Sequence, residues 1–245
     1  MRVRRTLLGA LTLALGMGAV AAPATAGADG IRDTTHHARG RILYEGDSIT
    51  DWYNNRPGSS MQGWWSILAQ RLRLRPDASN AEGNSGFTQR GDKNPEDRVV
   101  RHNGTTLIQR LPAIASRVAS DPFFVIEAGV NDGKTESIAR VRRAVDRYFA
   151  AVAELRDTTG KDRSTVFVLT PWPHGINPSG RTRVVRIIGD LAGEYGFTAV
   201  DMTGVLNSRN TRRLHPTRQG SEAIAERFLR KTDITELVDT LRNQT

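Results

Sequence analysis

The chain has 245 residues, no cysteine, and a formal charge of +9 from 35 basic and 26 acidic residues. The absence of cysteine excludes disulfide bonds, thiol catalysis and cysteine-ligated metals. A chain of this length commonly forms one domain, whose hydrophobic core must then stabilise the fold alone.

The N-terminal segment has the pattern of an export signal. Three arginines are followed by the apolar stretch Leu7–Val20 and by the small-x-small cleavage motif Ala24–Ala26. We therefore expect a signal peptide over residues 1–26 and a secreted mature chain without a transmembrane segment. Residues 27–245 are predicted to form a single domain, with 27–39 loosely ordered.

Short apolar runs alternate with longer amphipathic segments along the rest of the chain. Strands are predicted at Ile42–Tyr44, Phe123–Ile126, Val166–Leu169 and Phe197–Val200, with a weaker candidate around Ala78–Ala81. Helices are predicted at Gln62–Arg73, Leu107–Ala119, Ser137–Arg156, Thr182–Tyr195, Gln219–Leu229 and Asp233–Leu241. Strands that alternate with helices favour a parallel sheet covered on both faces.

The first predicted strand leads into a candidate nucleophile. The sequence R-I-L-Y-E-G-D-S-I-T predicts a buried strand that ends in a tight turn at Gly46 and presents the Ser48 hydroxyl at an end of the sheet. A serine held there can attack a substrate if a base takes its proton. An ordinary β-turn is the alternative, because Gly, Asp and Ser are common turn residues.

Other polar motifs also follow predicted strands, and ligands of parallel sheets bind beyond the carboxyl ends of the strands. His215, in the loop before a predicted helix, is the best placed general base by its order and loop context. Backbone N–H groups of Ser48 and Gly86 and the side chain of Asn131 are candidate donors to an oxyanion. Taken singly, Gly86 could be a turn glycine and Asn131 a helix cap.

The motifs G-D-S-I-T, S-G-F-T, G-V-N-D and H-P, in this order, resemble those of SGNH hydrolases, also called GDSL-type esterases and lipases. The resemblance spans residues 41 to about 229. It implies an α/β fold: a flavodoxin-like three-layer α/β/α sandwich with a five-stranded parallel sheet. The G-x-S-x-G elbow of α/β-hydrolases is absent, since Thr50 stands two residues after Ser48.

The resemblance also implies hydrolysis of carboxylic esters through an acyl-enzyme. It makes Ser48 the nucleophile and His215 the base, with Ser48, Gly86 and Asn131 as oxyanion donors. Asp47 and Asp132, inside the motifs, are expected to support the site. No cofactor is expected, and no histidine spacing supports a metal site.

One position departs from the family pattern. The family usually carries an aspartate three residues before the histidine, and here that residue is Arg212. A guanidinium accepts no hydrogen bond, and its charge disfavours the imidazolium. We predict a Ser-His dyad in which a main-chain carbonyl orients His215, while Arg212 points to solvent or to an anionic substrate.

Two alternatives to the dyad remain. Another acid may orient the imidazole, and Asp201 is the nearest in sequence at a predicted strand end. Alternatively, the protein is a weak or inactive relative that acts as a carbohydrate- or lipid-binding module. Glu45 and Glu127, near the ends of adjacent predicted strands, are interpreted as supporting carboxylates rather than as a glycosidase pair.

The expected substrate is an acylated polysaccharide, a lipid or a small acyl ester. Trp52 and Trp172 are candidate substrate-binding residues, because aromatic rings stack on sugars or line acyl pockets. Arginine clusters are interpreted as solvated surface, so no nucleic-acid partner is expected, and the chain is expected to be a monomer. The clusters lie around Arg71–Arg75, Arg140–Arg143 and Arg209–Arg213.

Overall fold

A computed structural model describes residues 40–51, 63–94, 102–132, 137–172, 178–212 and 214–244, all within one compact unit, His37–Thr245. The predicted signal peptide, residues 27–39 and Trp52 lie outside the described residues. None of the described helices is long and apolar enough to span a membrane.

The described strands and helices alternate as the sequence predicts. The strands are β1 (Arg41–Gly46), β2 (Arg75–Asp77), β3 (Lys93–Asn94), β4 (His102–Asn103), β5 (Phe123–Glu127), β6 (Val166–Leu169), β7 (Thr198–Val200), β8 (Thr211–Arg212) and β9 (His215–Pro216). The helices are α1 (Trp64–Arg71), α2 (Leu107–Ser120), α3 (Ile138–Asp157), α4 (Pro178–Glu194), α5 (Arg218–Lys231) and α6 (Ile234–Asn243).

Five strands form one parallel sheet in the order β2-β1-β5-β6-β7. Successive residues of β1 enter opposite hydrophobic clusters: Ile42 and Tyr44 pack with α1, α5 and α6, and Leu43 packs with α2, α3 and α4. Both faces of the sheet are therefore buried, as parallel sheets require. This confirms the predicted α/β/α sandwich.

One strand prediction is wrong in position. The weak candidate at Ala78–Ala81 is turn and loop, and the strand lies instead at Arg75–Asp77. Among the described strands, β2 lies at the edge of the sheet and pairs with β1 alone, and it carries charged residues and Pro76 rather than an apolar run. Sequence periodicity gives little signal for such a strand.

The sheet has its topological switch point between β1 and β5. These neighbouring strands pair in register, with Gly46 opposite Glu127. The helix after β1 packs on one face of the sheet, and the helix after β5 packs on the other. The loops that follow the two strands therefore diverge, and the crevice between them is where open α/β sheets bind ligands.

Candidate active site

The turn after β1 presents Ser48. Gly46 makes the turn possible, because a Cβ atom there would lie 2.5 Å from the Glu127 carbonyl oxygen and 2.6 Å from Thr50 Oγ1. Beyond it, the Asp47 carbonyl accepts hydrogen bonds from the N–H groups of Thr50 (3.1 Å) and Asp51 (2.9 Å). Asp47 Oδ1 also accepts one from the Ile49 N–H at 3.0 Å. Asp47 thus holds the turn that contains Ser48 through the three residues that follow the serine.

His215 reaches Ser48 from the far end of the chain. It lies in β9, which pairs antiparallel with β8 so that Arg212 stands opposite His215. Its Nε2 is 2.8 Å from Ser48 Oγ, within the range for a nucleophile and its base. The next turn is secured by Thr217, whose N–H donates to the Asn210 carbonyl and whose side chain caps α5. If Nε2 accepts the serine proton, Nδ1 carries the ring's other proton.

Asn131 connects the Ser48 turn to the Gly86 loop. Its Nδ2 donates to the Ser85 carbonyl at 2.8 Å and lies 3.3 Å from Asp47 Oδ2. An amide NH₂ has two donors, so a substrate oxygen would compete with the longer of these contacts. The Gly86 N–H donates to the Gln89 carbonyl at 3.0 Å, and an oxyanion must share that donor or displace the bond.

Asp132 positions the Gly86 loop. Its carboxylate accepts hydrogen bonds from the N–H groups of Phe87 (2.9 Å) and Thr88 (2.6 Å) and from Thr88 Oγ1. A Cβ at Gly86 would lie 2.2 Å from Asp132 Oδ2, so this close approach requires glycine. Burial raises the pKa of Asp132, although the donors of the loop oppose the shift.

Glu127 and Asp47 form a buried carboxyl pair under the Ser48 turn. Glu127 Oε2 accepts a hydrogen bond from Thr50 Oγ1 at 2.9 Å, while no described donor reaches Oε1. Burial raises the pKa of Glu127 well above its usual value, and the charge of Asp47 raises it further. The pKa of Glu127 is therefore higher in the native state than in the unfolded chain, and its protonated form can donate to Asp47.

Replacing Glu127 with glutamine is therefore expected to stabilise the protein relative to wild type as the pH rises. The native state holds the Glu127 proton more tightly than the unfolded chain, whose glutamate releases it near pH 4.5. Wild type thus loses stability as the pH rises from there through the native pKa of Glu127. The glutamine of the variant has no carboxyl proton to lose, so the difference in unfolding free energy should grow across this window.

Urea unfolding of both proteins between pH 4 and pH 9 measures this difference. Glu154→Gln, which changes an exposed carboxylate of α3, is the matched control and should give no such trend. A difference for Glu127→Gln that is constant with pH, or that falls as the pH rises, would show that Glu127 is ionised in the native state.

Arg212 and Asp201, the two residues that the sequence analysis considered near His215, have different surroundings. Arg212 is exposed on β8. The Asp201 carboxylate accepts a hydrogen bond from the Thr203 N–H at 2.8 Å, and this bond, with others, lowers its pKa. Within the described residues, no hydrogen bond joins Asp201 to His215.

Of the two tryptophans predicted to bind substrate, Trp172 lies in the described core and Trp52 lies outside the described residues. Trp172 is 1% exposed and packs in the cluster that contains α1 and α5, so its ring contacts the protein interior. The described parts of the chain contain no group of three or more histidine and acidic residues placed to hold a metal ion.

Sequence reasoning missed Arg181, in the first turn of α4. This side chain is fully buried, and burial lowers its pKa while the nearby charge of Asp47 raises it. Arg181 thus supplies positive charge beside the residue that precedes Ser48. Nothing in the sequence could have distinguished it from Arg183 and Arg186, which are exposed on the same helix.

Several solved structures share this fold at low sequence identity. LAE5, an alpha/beta hydrolase from the metagenome of Lake Arreo, Spain, has a TM-score of 0.55 at 16% identity, covering 80% of this chain and 96% of LAE5. The M. smegmatis aryl esterase has a TM-score of 0.54 at 18% identity, covering 79% and 100%. Est24, a carbohydrate acetylesterase from Sinorhizobium meliloti, has a TM-score of 0.55 at 14% identity, covering 84% and 100%.

The sequence itself matches a family model. Among curated proteins, none matches the chain significantly. The model of the GDSL-like lipase/acylhydrolase family matches residues 46–223, a range that includes Ser48, Gly86, Asn131 and His215. This match covers well over half of the chain and agrees with the shared fold. The chain therefore belongs to the GDSL-like lipase/acylhydrolase family, as its motifs predict.

Proposed function

We propose that the protein is a secreted serine esterase that hydrolyses carboxylic esters through an acyl-enzyme. The observation that carries the proposal is the 2.8 Å contact between Ser48 Oγ and His215 Nε2. His215 takes the proton as Ser48 attacks the ester carbonyl, and it then protonates the departing alcohol. A water molecule activated by the same imidazole releases the acid from Ser48.

Oxyanion stabilisation would come from the Ser48 and Gly86 N–H groups and the Asn131 side chain. Asn131 contacts Asp47 and the Ser85 carbonyl, which places its amide between the residues that precede Ser48 and Gly86. Donors fixed before the reaction stabilise the developing charge without reorganising. In this proposal Asp47, Asp132 and Glu127 are positioning residues that hold the two loops.

The proposed catalytic unit is a dyad, with a main-chain carbonyl as the orienting group of His215. Two observations support it: Arg212 is exposed on the strand opposite His215, and Asp201 makes its hydrogen bond to Thr203. Neither side chain is placed as a triad aspartate would be. In this dyad the orienting acceptor fixes the imidazole tautomer.

Replacing Arg212 with alanine is therefore expected to change kcat/KM for p-nitrophenyl acetate by less than about threefold. An exposed cation that takes no part in the proton relay contributes little to the barrier of a neutral ester. Initial rates of purified wild type, Arg212→Ala and His215→Ala provide the comparison. A loss in Arg212→Ala as large as that in His215→Ala would contradict the dyad.

One structural relative is a carbohydrate acetylesterase, and this description favours an ester with a short acyl group for this chain. A series of p-nitrophenyl esters from acetate to octanoate tests this, and the rate should fall as the acyl chain lengthens.

Export rests on the sequence pattern of residues 1–26, and we propose a monomeric mature protein. N-terminal sequencing and size-exclusion chromatography of the secreted protein test both points.

A catalytically weak binding module is the second candidate. The hydrogen bonds from the Gly86 N–H and the Asn131 amide to protein acceptors favour it, because these donors are engaged before substrate arrives. Covalent labelling by a fluorophosphonate probe separates the candidates. An esterase is labelled rapidly at Ser48, whereas a module without an activated serine is not.

A further inference from the structure

A cavity of about 760 Å³ opens beside the loop that follows Gly86. Its walls are the loop residues Phe87–Arg90, the start of α2 and the first three turns of α3. Four arginines line it: Arg90, Arg140, Arg143 and Arg147. Among the described lining residues Asp146 alone is acidic, so these residues give the cavity an excess of positive charge.

The cavity shares the Gly86 loop with the candidate active site, since Phe87 and Thr88 line it. The first N–H of α2, from Leu107, donates to the Gly86 carbonyl at 3.1 Å, and Thr88 is held by Asp132, the neighbour of Asn131. α2 precedes β5 and α3 follows it, so both helices begin at the carboxyl edge of the sheet, where Ser48 lies. The first turns of both helices lack acidic residues, and their N-termini add positive potential.

Arg143 and Arg147 of α3 are placed to meet a ligand rather than to pair with the described residues. Arg140, Arg143 and Arg147 are spaced three and four residues apart, which places them along one face of the helix. Arg142, which faces elsewhere, pairs with Glu194. Within the described residues, the guanidinium groups of Arg143 and Arg147 make no ion pair or hydrogen bond.

Arg90 adds a fixed cation from the opposite wall. Its Nε donates to the Gly104 carbonyl at 2.8 Å, which anchors the side chain, and its terminal nitrogens make no hydrogen bond to a described residue. Asp146 offsets part of the charge, and it also accepts a hydrogen bond from Tyr195. A guanidinium pairs strongly with a carboxylate or a phosphate, often through two parallel hydrogen bonds.

We propose that this cavity binds an anionic group, a carboxylate or a phosphate, on the non-reacting part of the ester substrate, and so selects acidic esters. The proposal rests on the esterase function proposed above. The anion enters beside the Gly86 loop, and its contacts hold the ester group toward Ser48. This assigns a role to an arginine cluster that the sequence alone suggests is solvated surface.

Matched substrates test the proposal by changing only the charge. O-acetylated glucuronic acid and O-acetylated glucuronamide differ in a carboxylate and its neutral isostere. Wild type is expected to hydrolyse the acid with a kcat/KM about tenfold higher, mainly through a lower KM, because charged hydrogen bonds are the stronger ones. A second pair, acetylated glucose with and without a 6-phosphate, distinguishes phosphate from carboxylate recognition.

The double variant Arg143→Gln/Arg147→Gln should lose this preference and keep wild-type activity on p-nitrophenyl acetate. Arg186→Gln, which removes an exposed arginine of α4, is the control and should keep both the preference for the charged ester and the activity on p-nitrophenyl acetate. Preference in either substrate pair that disappears in the double variant supports the proposal and identifies the anion. Equal rates for charged and neutral partners in both pairs, or a preference that survives in the double variant, would overturn it.

Binding separates this inference from the esterase proposal. Calorimetric titration of the Ser48→Ala protein with glucuronate and with inorganic phosphate needs no turnover. Saturable binding of one of them, lost in the Arg143→Gln/Arg147→Gln background, supports the cavity even if wild type hydrolyses no ester. Hydrolysis of p-nitrophenyl acetate by wild type without such binding or anion preference would leave the esterase proposal standing and remove the cavity's role.

Discussion

Replacing Ser48 with alanine is expected to abolish ester hydrolysis, lowering kcat/KM by about 10⁴-fold or more. The Ser48 hydroxyl is the atom that forms the acyl-enzyme, and the turn held by Asp47 places it 2.8 Å from His215 Nε2. Without it, the imidazole can only activate water, and any remaining catalysis comes from the oxyanion donors and from binding. Initial rates with p-nitrophenyl acetate measure the loss.

Ser66→Ala in α1 is the matched control for this change, because it removes a hydroxyl at a helical position where alanine is well tolerated. It should keep both the rate and the labelling by a fluorophosphonate probe, whereas Ser48→Ala should lose both. Equal thermal unfolding of the two variants would exclude misfolding as the cause. Activity of Ser48→Ala near the wild-type rate would remove Ser48 from the mechanism.

The sequence predicts the sheet and the pairing of the active-site residues well, because both depend on local patterns. Buried strands such as β1 and β5 contain short apolar runs, and Ser48 and Asn131 stand just past these two strands, where the topology brings distant loops together. Ser48 and His215 are 167 residues apart in the chain. Their order in the chain and their loop context are nevertheless enough to predict that they meet at the carboxyl edge of the sheet.

The features that the sequence misses depend on contacts rather than on patterns. β2 is an edge strand without an apolar run, and Arg181 and Trp172 are buried although their segments do not require it. The arginines around the cavity come from a loop and from α3, and only the packing of α3 against the start of α2 brings them together. Composition gives their total charge but not their arrangement.

Arg110 is the clearest case of a contact that patterning cannot reveal. It lies on α2 with 6% exposure, and its guanidinium pairs with Glu45 and donates to the Gly46 carbonyl at 2.7 Å. It also lies 3.8 Å from Glu82 Oε2. Burial raises the pKa of Glu45, whereas the charge of Arg110 lowers it. One cation thus contacts two buried carboxylates beside the strand that leads into the Ser48 turn.

Replacing Arg110 with alanine is therefore expected to lower the free energy of unfolding by about 3–5 kcal/mol, since Glu45 would remain buried without its counter-charge. Urea denaturation near neutral pH measures the loss. Arg117→Ala on the same helix is the matched control, because Arg117 pairs with Asp77 and keeps 27% of its side chain exposed.

Arg117→Ala should lower the free energy of unfolding by about 1 kcal/mol or less, as the loss of a partly exposed ion pair does. The paired change Arg110→Met with Glu45→Gln should recover part of the loss, because it removes the unbalanced charge along with its partner. Equal costs for Arg110→Ala and Arg117→Ala would mean that Glu45 is neutral in the native state, and the Ser48 turn would then not depend on this ion pair. Because the Gly46 carbonyl loses its shortest hydrogen bond in Arg110→Ala and keeps that from the Glu82 N–H, activity should also fall under conditions where the variant remains folded.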